Sequence, residues 1–479
     1  MSELSTVGRE LANRPLLSNL LSLLAETRPA FGQARVFARA EALVFGQLLT
    51  FGRHTITQSL LALGLVDDDW SGFYRLLSEP RLDVAALRRC LFRQTLAHSL
   101  PSEPYVVAID GVQVPRHSRT MPGSSWLRAP RTPVWMAGIH RAQRFGDVAW
   151  LTPRSALGYS RAIPLWWEPA LPQKAVRPVR VEPRKEWEVA RDSAGWLRGE
   201  LDAAGRQGQR LLLLGDGSYD TLGLWQQLPV GVVLLVRTAR NRVLRELPQA
   251  PVGRGRPRKY GPRAPKPQAW LGERQGWREA VLGVRGRQVP VTYRVAGPYL
   301  RQRAATVPVY LLVVKGIKRR VNGKLRQREP SFWLVSAERN AAGWRLPWAA
   351  EELLAWAWQR WEIEVTHRAC KAEFGVGEVQ CWGQESALLA VQFQVWVVSL
   401  LLLSGYRAWG LGPGTIRPPG RWWAGSRRWS FGRLWQGWRQ EVWGSAEYRR
   451  VFAGTSTNWY EKEGWLLARQ NAIQGARRA

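Results

Sequence analysis

Arg360, Glu364, His367 and Lys371 fall at helical spacing in the run Arg360-Trp-Glu-Ile-Glu364-Val-Thr-His367-Arg-Ala-Cys-Lys371, so one helix face carries a carboxylate between cations. A carboxylate flanked by positive charge on a rigid helix suits a divalent metal held beside a phosphate. Two further acids stand apart upstream. Asp110 ends Val-Val-Ala-Ile-Asp and Asp216 ends Leu-Leu-Leu-Leu-Gly-Asp, each an apolar, strand-like run that delivers a carboxylate next to a glycine. Aspartates at strand ends are common, and either one alone reads as structural. Acids are costly to gather unless a cation compensates them, so the trio with Glu364 carries the argument. Carboxylates around two metal ions can activate an attacking oxygen and stabilise a leaving one, which is phosphodiester chemistry.

The composition agrees. The 479 residues include 70 basic and 37 acidic side chains, a formal charge of +33. Arginine richness has a bland origin in base composition, but it does not explain the shortage of acids. A polyanionic partner does, because neutralising phosphates releases counterions. Three cysteines are too few for a disulfide framework, and Cys370 and Cys381 with His367 match no usual zinc-finger spacing. The opening residues lack a signal-peptide pattern. The apolar run Ala387–Ser404 is interrupted by Gln392 and Gln394 and reads as a buried core helix. The expectation is a soluble, cytoplasmic chain that joins the nucleoid when bound to DNA.

The elements that must position these residues can be read from periodicity. Leu16–Leu24, Val36–Leu49 and Leu87–His98 have helical spacing. His54–Leu63 and Asp68–Ser78, broken at Gly64, fit a helix-turn-helix or simply packed helices; Trp70, Tyr74 and Arg75 belong to the second helix. Strands are expected at Tyr105–Val114, Val134–Arg141 and Gly146–Pro153, a helix at Arg184–Arg206, a buried strand at Leu211–Leu214, a helix at Tyr219–Gln227 and a strand at Gly231–Val236. Further strands are expected at Arg278–Val284, Gln288–Ala296, Val307–Lys315 and Phe332–Ser336, then one long helix from Ala349 to Phe374 stopped by Gly375. The fold class is α/β, a mixed sheet covered on both sides.

With the acids and the Glu364 helix in hand, the chain resembles bacterial insertion-sequence DDE transposases with an RNase H-like catalytic domain. The group in question has the motif Y-(2)-R-(3)-E-(6)-K, and Arg360, Glu364 and Lys371 fit its last three letters. Ala357 stands where the motif has Tyr, between Trp356 and Trp358. Trp344-Arg-Leu-Pro347 leading into the helix and Asp216-Gly-Ser-Tyr219 are also similar to that group. The resemblance implies an RNase H-like sheet flanked by helices and interrupted by a β-rich insertion. It implies that Asp110, Asp216 and Glu364 are catalytic and hold two Mg²⁺ ions, for which Mn²⁺ can substitute. Arg360 and Lys371 would hold phosphates of the end DNA. His367 either orients a phosphate or packs, and packing is the simpler reading. Asp220 and Glu362 compete for the acidic roles, but Glu362 points to the opposite side of an ideal helix.

The expected layout is a helical DNA-binding domain at 1–100, an RNase H-like domain in two parts at 101–241 and 341–405, a β-rich insertion at 242–340 and a Trp/Arg-rich helical region at 406–479. Within the insertion, Arg254-Gly-Arg256-Pro-Arg258-Lys259 resembles an AT-hook, in which glycine removes bulk and proline keeps the backbone extended so that arginines enter a narrow minor groove. The alternative is a solvated basic loop. The C-terminal interleave of Trp422, Trp423, Trp429, Trp435, Trp438 and Trp443 with arginines either stacks on unpaired bases or builds a core or dimer face; helical spacing favours the second.

Together these features predict an insertion-sequence transposase that hydrolyses phosphodiesters at transposon ends and transfers the 3′-OH strand into target DNA. Its expected partners are double-stranded DNA, both terminal inverted repeats and target, and a second copy of the chain in a homodimer. The alternatives are a domesticated or inactive DNA-binding protein of the same fold, and a sequence-independent RNase H-like nuclease.

Overall fold

The computed structural model describes residues 14–129, 136, 138–179, 181–249, 258–321, 324–415 and 427–443. The chain opens on helices α1 (Pro15–Glu26), α2 (Ala34–Leu49), α3 (Ile56–Ala62), α4 (Ser71–Ser78) and α5 (Val84–Leu96). Thr55 and Asp83 cap α3 and α5 by accepting from the backbone amides of Gln58 and Ala86. Gly64 turns between α3 and α4 at φ +76°, and the Trp70 indole at the start of α4 donates back to the Leu65 carbonyl. Tyr74 and Arg75 face outward.

The central sheet follows. β1 (Tyr105–Pro115), β3 (Ile139–Leu151) and β4 (Ala162–Pro169) are antiparallel neighbours, and β2 (Ser124–Arg128) lies on the same edge of β3 as β4. Helix α6 (Glu186–Ala203) then returns the chain to β5 (Leu211–Gly215), and α7 (Leu222–Gln226) leads to β6 (Val232–Arg237). Both β5 and β6 run parallel to β1, so the order β4-β3-β1-β5-β6 is the RNase H-like arrangement. β5 and all but the last residue of β6 are buried on both faces, as their unbroken apolar runs require.

Beyond β6 the sheet does not stop. The short β7 (Leu244–Glu246) and the strands β8 (Arg278–Val284), β9 (Arg287–Arg301) and β10 (Ala304–Val314) are followed by a hairpin, β11 (Ile317–Val321) and β12 (Lys324–Arg328), and then β13 (Ser331–Ser336). β13 pairs antiparallel with β6 through Trp333↔Arg237, Leu334↔Val236 and Val335↔Leu235, and β10, β9 and β7 continue outward from it. The strands after residue 277 therefore extend the core sheet and cover what would be an open edge at β6.

Three local expectations are corrected. Val134–Arg141 and Gly146–Pro153 are not two strands: one strand, β3, runs through Gly146, which pairs with Gly111. Gly146 is no turn but a close approach, since a Cβ there would stand 2.9 Å from the Val189 side chain of α6. β4 was not among the expected strands, and Pro164 and Pro169 lie within it. It holds an edge position with a register irregularity opposite Val148 and Ala149, where prolines are tolerated. The long helix to Phe374 is broken into α8 (Ala350–Gln359) and α9 (Glu362–Arg368), followed by a π turn at Ala369–Glu373 and Gly375 at φ +76°.

Helix α10 (Ser386–Trp409) is long and apolar enough to cross a membrane, but 94% of its apolar window is buried inside the fold. Its glutamines are structural: Gln394 donates to the His54 carbonyl and accepts from the Gly377 amide, and Gln392 donates to the Trp167 carbonyl. Helix α11 (Phe431–Trp443) packs on α1, α2 and α10, burying Trp435 and Trp438. Trp422 and Trp423 lie outside the described residues.

Candidate active site

Register places the two aspartates side by side. Ala108 on β1 pairs with Leu214 on the parallel β5, so Asp110 and Asp216, each two residues further on, reach the same level of adjacent strands. Neighbouring strands lie about 4.8 Å apart, which brings the carboxylates into mutual range. Asp110 accepts from the Gly111 amide at 2.8 Å. Asp216 caps the turn that follows β5 by accepting from the Ser218 amide at 2.8 Å. The glycine after Asp110 serves packing rather than ligand approach: a Cβ on Gly111 would collide with the Glu186 carboxylate of α6, which pairs with Arg144.

Helix α9 packs over β1 and β4 and delivers Glu364. Arg360, at the break before α9, donates to Glu364 at 2.7 Å and reaches Asp110 at 3.7 Å. One guanidinium therefore bridges two of the three acids. Burial pushes the Asp110 carboxyl up to about 6, opposed by His367 and Arg360 and reinforced by Asp216. The competing acids are used elsewhere. Asp220 is buried and bound by Arg301 at 3.0 Å, Arg242 at 2.5 Å and Thr238 at 2.6 Å. Glu362, 1% exposed, is held by Arg428 at 2.9 Å and Arg285 at 3.3 Å.

A cleft of about 700 Å³ opens beside the acids. Asp216 and Glu364 line it together with Arg237, Arg242, Arg328 and Arg360, and with Trp333, Trp358 and Trp361. Ala357 lies in its wall, and the adjacent Trp358 carries the Arg328 guanidinium 5.1 Å over its ring. Arg237 and Arg242, in the Arg-Thr-Ala-Arg-Asn-Arg run after β6, were not singled out from sequence; in so basic a chain they stand out only once β6 is placed beside β5.

A family model described as DDE superfamily endonuclease matches residues 27–294. The chain belongs to that family. Its membership makes it a nuclease- or transposase-type enzyme, and the matched span includes Asp110 and Asp216. No curated protein matches the sequence.

The remaining candidate residues of this DDE endonuclease are distributed as follows. Lys371 sits in the π turn, its charge acting on the buried Asp147 of β3. The His367 Nε2–H donates to the Oδ2 of that same Asp147 at 2.8 Å. Asp147, which the sequence did not flag, is fully buried, and burial pushes its carboxyl up. Arg258 and Lys259 are exposed, whereas Arg254 and Arg256 lie outside the described residues. Among the described residues, no group of three or more His, Cys, Asp or Glu side chains is arranged to hold one metal ion. The donor chemistry nonetheless fits a hard cation. Asp110 and Asp216 offer oxygen ligands on adjacent strands, and Asp110 is a half-buried carboxylate 3.7 Å from a guanidinium that it shares with Glu364.

Proposed function

We propose that this DDE endonuclease is the DNA transposase of an insertion sequence, hydrolysing phosphodiesters at the transposon ends and transferring the freed 3′-OH strand into target DNA. The observation that carries the reading is the convergence of Asp110, Asp216, Arg360 and Glu364 at the rim of an arginine- and tryptophan-lined cleft. Asp110, Asp216 and Glu364 would hold two Mg²⁺ ions, which when bound supply Lewis acidity to water and phosphate. The chain's own cations do the rest. Arg237, Arg242 and Arg328 offer charge to a phosphate backbone crossing the cleft, and exposed Arg258 and Lys259 supply further positive charge for DNA. Arg360 exchanges its carboxylate partners for a phosphate as DNA enters, and Lys371, in the π turn after α9, adds positive charge. α3 and α4, with Tyr74 and Arg75 outward, are suited to reading terminal repeats, and a homodimer would pair two ends.

The test is excision in cells from the gene's own flanking DNA, comparing the wild type with Glu364→Gln, which keeps shape and removes charge. Excision that vanishes in the variant supports the reading. Equal excision removes Glu364 from the mechanism. End-specific binding without excision by either protein would replace the enzyme with a DNA-binding relative of the same fold.

A further inference from the structure

Asp147 is an anomaly among the buried acids of this fold. Asp220 and Glu362 each engage two arginines, as a buried carboxylate requires. Asp147 is 0% exposed; its Oδ2 pairs with the His367 Nε2 at 2.8 Å, its Oδ1 lacks a hydrogen bond of normal geometry among the described residues, and no arginine reaches it, the Trp167 indole and the Lys371 charge acting on it instead. Burying a carboxylate without an arginine partner carries a desolvation cost that a neutral residue at the same place would avoid. The cost is explained if Asp147 acts through the imidazole.

The surroundings hold that imidazole firmly. Asp147 lies directly across from Asp110 in the β1–β3 register and across from Trp167 in the β3–β4 register. The Trp167 ring meets the His367 ring edge-on, with centroids 6.0 Å apart and planes at 89°. Next to it, the Thr366 hydroxyl donates to the Ala162 carbonyl at 2.9 Å, fixing the turn of α9 on β4. His367 is therefore clamped between Asp147, Trp167 and the Asp110 side of β1, with Nε2 committed to the carboxylate. Its side chain keeps 13% of its surface exposed, and its charge acts on Asp110 across the β1–β3 pairing. A carboxylate behind one ring nitrogen fixes the orientation and the donor capacity of the other.

We propose that Asp147 and His367 form a positioning pair, in which the carboxylate accepts from Nε2–H and holds the doubly protonated imidazole so that Nδ1–H donates to a non-bridging oxygen of a DNA phosphate lying against Asp110. The proposal rests on the reading of this site as one that receives a phosphodiester. His367 is then the group that touches substrate, and Asp147 positions it.

The experiment uses the full chain labelled with ¹⁵N-histidine, whose five histidines give few signals, with His367→Gln assigning the relevant pair. Adding a duplex of the gene's own flanking end should move the His367 Nδ1 signal, and Asp147→Asn should abolish most of that movement. End cleavage at saturating duplex should fall about 100-fold in Asp147→Asn and in His367→Gln, with DNA affinity changed less than about 3-fold. The double variant should be no worse than either single one, as expected of residues that act as a unit. A Nδ1 signal that ignores DNA, or cleavage losses that multiply in the double variant, overturns the pair. If Asp147→Asn does not fold, His367→Gln alone decides through the cleavage and affinity split: a parallel loss of both rejects the positioning role. No cleavage by the wild type while the His367 signal still moves would retire the transposase reading and leave the phosphate contact standing. Wild-type cleavage with an unmoved signal would do the reverse.

Discussion

Arg360 and Glu364 form an ion pair at 2.7 Å across the break between α8 and α9, with the same guanidinium 3.7 Å from Asp110. The arginine thereby neutralises two acids that a metal would otherwise have to satisfy, and it does so from the wall of the cleft. Its Nη1 is buried without a hydrogen-bond partner, so a phosphate oxygen offers it a better contact than it has now.

Arg360→Ala should therefore weaken DNA binding and reduce its salt dependence together. Removing one phosphate contact lowers the slope of log K against log salt by about 0.9 for duplex DNA. Binding measured across a salt series checks this. An unchanged slope with unchanged affinity would show that Arg360 stays with its carboxylates when DNA is bound.

Asp110 gives a pH prediction whose sign is the reverse of the usual carboxylate. Its folded value is raised from 3.8 to about 6, chiefly by burial. Well below pH 3.8 the group is protonated in both states and contributes nothing, and near pH 4 the difference is still small. As pH rises from 3.8 toward 6 the unfolded chain loses the proton first, so the folded state is progressively destabilised, and the penalty is constant above that. A shift of this size corresponds to roughly 3 kcal/mol at most. Asp110→Asn should accordingly match wild-type stability near pH 4 and exceed it at pH 7.5, as followed by thermal or urea unfolding without divalent metal. Equal stability at both pH values would mean that Asp110 ionises freely.

These relationships differ in how far the sequence announces them. Asp110 and Asp216 each close an apolar run, and the parallel pairing of those runs in register brings Asp110, midway along β1, level with Asp216 just past β5, so their meeting follows from local pattern plus topology. Glu364 separates from Glu362 by helical geometry alone, and the structure turns Glu362 into the protein toward Arg428 and Arg285. Asp147 is different. A single acid after Gly146 carries no signature, and the residue that gives it meaning, His367, is brought to it only when α9 packs over the sheet. The break at Arg360–Trp361 was equally hidden, because neither glycine nor proline marks it. Arg237 and Arg242 were lost among the other arginines of a strongly basic chain. Pairing of β13 with β6 depends on which strand edge is left open, a property of the assembled sheet and not of residues 331–336.

Glu362→Ala should destabilise the protein without touching the cleft acids. The side chain is 1% exposed and anchors Arg428, next to the C-terminal helix, and Arg285, at the β8–β9 turn. Breaking a buried pair by removing one partner costs about 3–5 kcal/mol, toward the lower end here because both arginines keep some access to water. Urea unfolding of the variant measures the loss. End cleavage by its folded fraction should persist, which separates Glu362 from Glu364; a stable but inactive Glu362→Ala protein would assign the wrong glutamate to the site.

Trp429 tests whether the C-terminal tryptophans are core. The side chain is 0% exposed, its Nε1 donates to the Gly410 carbonyl at 2.9 Å, and the Arg161 guanidinium lies 3.4 Å over its ring. Arg161 also donates to the Trp429 carbonyl at 2.7 Å, and burial pulls its pKa down to about 9. The ring therefore fills volume and compensates a buried cation at once. Trp429→Ala should cost about 3–5 kcal/mol through the cavity alone. Trp429→Phe retains a ring face for Arg161 and sacrifices one hydrogen bond, a loss of about 1 kcal/mol before the smaller volume is counted. Had the tryptophan been held for stacking on unpaired bases, both variants would keep wild-type stability and lose affinity for single-stranded DNA instead. Urea unfolding and single-strand binding, measured on the same two variants, separate the outcomes.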